Sequence, residues 1–151
     1  MTVSVPGLEG LKALMGTELG TSTPLLVTQE AVRLFAEATG DHQWIHVDVE
    51  RATAGPFGGP IAHGYLTLSL LPVLLPTVFA VEGVSMAVNY GLNKMRFPSP
   101  VPVGSEVVCT VTLVAVDDVP GGAQVTLGTV ISVVGAPKPA CVAEIVFRYY
   151  A

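Results

Sequence analysis

The chain has 151 residues, half of them hydrophobic and only 13% charged, with a formal net charge of -5. That length suits one domain spanning residues 1–151, and so large an apolar supply excludes disorder, since disordered chains lack the surface to offset their ordering entropy. The acidic balance excludes a nucleic-acid partner, which demands a basic stripe, and the seven basic residues form no run suited to an anionic membrane.

From the N-terminus, the first sixteen residues lack a basic start followed by a long apolar core, so no signal peptide is expected. Leu19 to Thr28 reads as an extended segment, and Pro24 within it argues for a sheet edge. Thr28 is suited to cap a helix over Gln29 to Thr39, where Ala31, Val32, Phe35 and Ala38 recur at helical spacing. Gly40 is suited to end that helix in a left-handed conformation. Asp41 to Val47 then reads as a turn or loop, and Asp48 to Ala54 as one further helical turn.

Pro56-Phe57-Gly58-Gly59-Pro60 forbids both ladder and helix. His63 to about Leu75 is apolar nearly all round, the pattern of a buried helix, with Pro72 expected to kink it or end it early. It is too short to span a bilayer. The second half is rich in Val, Ile and Thr, in four strands at Val84–Phe97, Ser105–Val116, Ala123–Val134 and Ala140–Tyr150. Pro120-Gly121-Gly122 and Gly135-Ala136-Pro137 are short enough to be hairpin links. One strand, then helices, then four antiparallel strands gives an α+β fold with the sheet wrapped round the apolar helix. Cys109 and Cys141 lie within apolar strands, as buried thiols of a reducing compartment do, and a cytoplasmic location is expected. The apolar excess also suggests burial between subunits.

All three histidines fall between positions 42 and 63. A helix would hold Asp41 and His46 about 140° apart, whereas a loop after Gly40 can aim both into one cavity. A carboxylate and an imidazole within reach of one water form a general acid/base pair. An ion pair at the surface fits the same spacing. His42 and His46 stand four apart, but the glutamate of a zinc protease is missing between them, so no metal and no other cofactor is expected. Gly64 opens the apolar helix, where its N–H has no internal acceptor and a substrate oxygen can approach; close packing alone is an equal reason for a glycine there. His63 fits a helix-start or packing role.

These same residues carry a resemblance. Phe35-Ala-Glu-Ala-Thr-Gly-Asp-His-Gln-Trp-Ile-His46, followed by Ala52, resembles the hydratase signature of MaoC-like proteins. Gly58-Gly59-Pro60-Ile-Ala-His-Gly64 and Asn93-Lys-Met-Arg-Phe-Pro-Ser-Pro-Val-Pro-Val-Gly104 resemble two later motifs of that family, in the same order. The resemblance implies a hot-dog fold, usually a homodimer, and reversible syn hydration of trans-2-enoyl thioesters to (R)-3-hydroxyacyl products. The substrate would be carried by coenzyme A or an acyl carrier protein. It carries catalytic roles to Asp41, His46 and the N–H of Gly64. Many members have Asn-Pro where this chain has Gln43-Trp44, which places it nearer a NodN-like subgroup. Gln43 can still orient the site, while Trp44 adds bulk near an acyl pocket, and Pro72 replaces a hydroxyl found in some members. Further candidate substrate contacts are His63, Tyr65, Leu66 and Leu68 along the helix, with core packing an equal role for the helix residues, and Lys94 and Arg96 for coenzyme A phosphates. A thioesterase of the same fold and a non-catalytic acyl-binding subunit are the rival functions.

Overall fold

The computed structural model describes residues 2–151. In chain order the elements are β1 (Val3–Val5), α1 (Gly7–Ala13), β2 (Glu18–Thr21), β3 (Leu25–Leu26), α2 (Gln29–Thr39), α3 (Trp44–Val47) and α4 (Val49–Thr53). There follow α5 (Gly64–Ser69), α6 (Leu71–Leu74), a 3-10 turn (Leu75–Thr77), β4 (Phe79–Val81) and four long strands. These are β5 (Met86–Arg96), β6 (Glu106–Val119), β7 (Gly122–Val133) and β8 (Cys141–Tyr150).

The main sheet runs β2-β6-β7-β8-β5, antiparallel throughout, with β3 also pairing β6. As Pro24 predicts, the early extended segment lies at the edge, and it is interrupted into two short strands around that proline. Two elements were not anticipated: α1, and a parallel pairing of β1 with β4. Their sequences are too short to show a period.

On β6 the inward side chains are Val107, Cys109, Val111 and Leu113, all fully buried. The alternation then breaks, because a bulge between Leu113 and Ala115 inserts one residue and shifts the next buried position to Val116. Together with Val125, Leu127, Ile131, Cys141 and Ala143, these side chains form the core on which Leu66, Leu71 and Leu74 pack. The helix therefore lies on the concave face of the sheet, as the hot-dog expectation requires.

One expectation about that helix is met and one needs correction. As Pro72 leads one to expect, it is interrupted: Leu70 N–H bonds to Thr67 O at 3.2 Å and Val73 N–H to Leu70 O at 3.1 Å, dividing α5 from α6. Pro72 has no N–H, and its ring would clash with the carbonyl four residues back, so the break falls just ahead of it. The helix is not, however, buried all round, since Tyr65 is 67% and Val73 52% exposed. Next to this face, Leu68, Leu71, Pro72 and Leu75 line a groove of about 650 Å³ closed on its other side by Tyr90, Leu92, Ile145 and Phe147.

Candidate active site

The local chain direction follows from the two ends of α2. Thr28 Oγ1 accepts from Ala31 N–H at 3.1 Å, satisfying one of the free amides at the helix start. At the other end Gly40 takes φ 80°, and its N–H reaches Ala36 O at 2.8 Å. Only glycine adopts that conformation without cost, and it turns the chain sharply out of the helix. Asp41 to Gln43 form the loop expected there, but Trp44 to Val47 close into a helical turn, α3, that carries His46. Because Asp41 precedes this turn, the angular separation of a shared helix does not apply to it.

His46 is 6% exposed and held from two sides. Its Nδ1 lies 2.6 Å from the carbonyl oxygen of Ile61. A carbonyl only accepts, so Nδ1 carries the hydrogen and Nε2 presents a lone pair. Its backbone carbonyl accepts from Gln29 Nε2 at 2.8 Å, which ties the turn to the start of α2. Ile61 is itself fixed, with its N–H on Ile45 O at 3.0 Å and a bridge to Pro102. Burial pushes the His46 pKa below its usual 6.5; the Ile61 hydrogen bond and the Asp41 charge act upward, while a charge on His63 would act downward. At neutral pH His46 is thus a neutral imidazole, competent to accept a proton.

The ligand-capable atoms of Asp41, His46 and His63 lie within 4.8 Å of one another. Two acceptors sharing one water stand about 4.5 Å apart at ordinary hydrogen-bond lengths. The Asp41 carboxylate is exposed, and its Oδ1 lies 3.4 Å from Gln43 N, a contact that leaves it open to further donors. Such a trio also has a composition that metals bind; His46 Nδ1 and His63 Nε2 each face a backbone carbonyl, which leaves the other nitrogen of each ring open. His42, the other member of the four-residue spacing, turns away to Glu37, 3.9 Å distant.

Gly64 is the first residue of α5 and half-buried. A Cβ at this position would lie 2.9 Å from Phe97 Cε2, so packing against that ring is one reason for a glycine. Its N–H nevertheless has no intrahelical acceptor. The other candidate contacts disperse. Leu66 is in the core, whereas Tyr65 is exposed, its ring 6.2 Å from that of Phe97. Leu68 lines the groove beside the helix. Gln43 stands exposed at the N-cap position of α3, and its side chain makes no capping hydrogen bond. Lys94 and Arg96 are exposed on β5; Lys94 stands opposite Glu144, and Arg96 donates to Met95 O at 2.7 Å. Neither is hydrogen-bonded to Asp41, His46 or His63 among the described residues. Trp44 is already engaged: Arg51 lies 4.2 Å over its ring, and Gly55 packs against its edge.

The thiols offer no rival nucleophile. Burial pushes Cys109 up to about 12 and Cys141 up to about 11. Both face Ile131, one on either side, so they sit two strands apart and cannot be joined.

Sheet and helix together define a hot-dog domain, with an acid and two imidazoles gathered beside the start of its helix. The family model described as "MaoC like domain" matches residues 11–134, and the chain belongs to that family. It is 58% identical over 142 residues to 3-hydroxyacyl-thioester dehydratase Z of Mycobacterium tuberculosis, covering 93% of this chain and 94% of that protein. It is 49% identical over 102 residues to Nodulation protein N of Rhizobium meliloti, covering 66% and 63% respectively. Among solved structures, the (R)-hydratase from A. caviae involved in PHA biosynthesis superposes with a TM-score of 0.70 at 28% identity, covering 87% of this chain and 96% of that one.

Proposed function

We propose that this chain is an (R)-specific enoyl-thioester hydratase, equally a 3-hydroxyacyl-thioester dehydratase, in which Asp41 and His46 activate the water. The observation that carries this reading is a neutral, buried His46 that keeps Nε2 free of Ile61 and has a ring nitrogen within 4.8 Å of an Asp41 carboxylate oxygen. The likeness to dehydratase Z and to the A. caviae (R)-hydratase supports the reaction class and its stereochemistry.

In the hydration direction, one water donates its two hydrogens to Asp41 and to His46 Nε2. As its oxygen bonds to the β-carbon, electron density moves to the thioester oxygen, which faces the N–H of Gly64. His46 Nε2 takes one proton from the water, the other stays on the new hydroxyl, and the imidazolium returns its proton to the α-carbon on the same face. The atoms of one water are thus added across the double bond. Dehydration runs the same steps backward.

The acyl chain runs along the groove beside Leu68, Leu71 and Leu75, and the carrier is coenzyme A or an acyl carrier protein. A second copy of the chain pairs along the outer edge of β5, a terminal strand that exposes Met86, Val88, Tyr90 and Leu92. No helix is long and apolar enough to cross a membrane among the described residues, and a cytoplasmic location remains part of this proposal.

Hydration of crotonyl-CoA, followed by loss of enoyl absorbance with chiral analysis of the product, tests the assignment. Asp41→Asn is expected to lower turnover at least about 100-fold, the lower end of acid/base assistance. Its unfolding midpoint should stay near that of the wild type, because the exposed carboxylate supports only the 3.4 Å contact to Gln43, which an amide oxygen can keep. Near-normal turnover in that variant, or release of free thiol in place of hydration, would overturn the proposal.

A further inference from the structure

Buried beside His46 is a second imidazole that the water-activation chemistry does not use. His63 is 2% exposed and caps the start of α5. Its Nε2 lies 2.9 Å from the backbone carbonyl of Asp41, twenty-two residues away in sequence. Because a carbonyl only accepts, Nε2 carries the hydrogen. The opposite edge, Nδ1, is buried without a partner among the described residues. The ring stacks on His46 with centroids 3.9 Å apart and planes inclined by 24°, and Phe35 of α2 packs against it at 4.8 Å. The His63 carbonyl accepts from both the N–H and the hydroxyl of Thr67, at 3.1 and 3.3 Å, so its backbone is anchored as firmly as its ring.

We propose that His63 is a positioning residue: through an Nε2–H donated to the Asp41 carbonyl and a ring stacked on the Nδ1–H imidazole of His46, it fixes the Asp41 loop to the start of α5. The two stacked rings hold opposite tautomers, each selected by its own backbone carbonyl. One rigid strut then sets the distance between the water held by Asp41 and His46 and the thioester oxygen facing Gly64, the residue next to His63. This inference rests on the hydratase reading given above.

Two measurements test it. In the ¹⁵N-histidine-labelled protein, long-range ¹H–¹⁵N correlation at neutral pH is expected to show one buried Nδ1–H ring and one buried Nε2–H ring, with His42, exposed at the surface, distinct from both. This needs no variant. Two substitutions then separate donor from ring: His63→Phe keeps an aromatic ring and loses the N–H, while His63→Gln keeps an N–H donor at similar reach and loses the ring. For crotonyl-CoA, kcat is expected to fall roughly tenfold or more in the Phe variant, with KM within about threefold, and to return to within about threefold of wild type in the Gln variant, as misplacement of a reacting group demands.

Equal losses in the two variants, full turnover in the Phe variant, or an Nδ1–H tautomer at His63 would each overturn the proposal. Should the Phe variant fail to fold, the tautomers and the Gln variant decide. A wild-type protein without hydration activity would sink the hydratase reading and the positioning role with it, while the spectrum would still decide the tautomer pair separately.

Discussion

Gly64→Ala separates the two reasons for a glycine at the head of α5. A methyl carbon at that position would lie 2.9, 3.0 and 3.1 Å from Cε2, Cδ2 and Cζ of Phe97. Phe97 is 38% exposed, so its ring can swing outward. The expected cost is about 1 kcal/mol, the low end for overpacking. Phe97→Ala alone should cost about 2 kcal/mol, less than a fully buried phenylalanine because part of the ring already meets water. In the double variant the clash is gone, so its total should be about 1 kcal/mol smaller than the sum of the single changes. Activity should not follow stability. If the N–H of Gly64 faces the thioester oxygen, the methyl crowds that oxygen whether or not Phe97 is present. Turnover should therefore fall about 100-fold, the scale of one oxyanion donor, and stay low in the double variant. Urea midpoints and crotonyl-CoA hydration on the same four proteins measure both effects. A double variant that turns over as fast as Phe97→Ala would refute the oxyanion role and leave packing as the whole reason for the glycine.

Three further outcomes are expected. Burial holds the folded pKa of His46 below 6.5, so the unfolded chain binds more protons as pH falls through 6.5 toward the folded value, and stability is lost over that window. Between about pH 7.5 and about pH 5 the urea midpoint should fall less in His46→Gln than in the wild type; equal falls would contradict this. Gln29→Leu removes the 2.8 Å donor to His46 O and also an unpaired buried Oε1, so the loss should be modest, about 1 kcal/mol, yet turnover should drop with it; unchanged turnover would mean that His46 is held without Gln29. In Gly122→Ala the new methyl would overlap the backbone carbonyl oxygen of Tyr149, which the β7–β8 ladder cannot move, so a loss of about 3 kcal/mol or more is expected, read as a fall in Tm. A negligible shift would mean a different register at that end of the sheet.

Much of the fold was legible because local rules and tertiary demands agree. Thr28 and Gly40 bound α2 as capping chemistry requires, and the four Val/Ile/Thr-rich runs are the four long strands. Where they disagree, tertiary packing prevails. Residues 44–47 read as loop, yet one turn of helix forms there, stabilised from outside by Gln29 and Ile61. The apolar run after Gly64 reads as buried on every side, yet the sheet covers only part of it and leaves Tyr65 and Val73 exposed. The site divides in the same way. Asp41, His46 and Gly64 stood out from their types, their spacing and the family motifs. Gln29 carried no signal, since a glutamine at the first position of a helix is ordinarily solvated. Phe97 carried none either, because nothing in its own segment points to residue 64.

By itself the sequence determined what nearest neighbours along the chain dictate: where helices start and stop, which strand faces are apolar, and that an acid and an imidazole share one short segment after a glycine. Tertiary structure alone decided which nitrogen of each imidazole carries the hydrogen. The carbonyls that select it come from Ile61 for His46 and from Asp41 for His63, fifteen and twenty-two residues away. No periodicity encodes a hydrogen bond across such a separation; it exists only once the core has brought the two segments together.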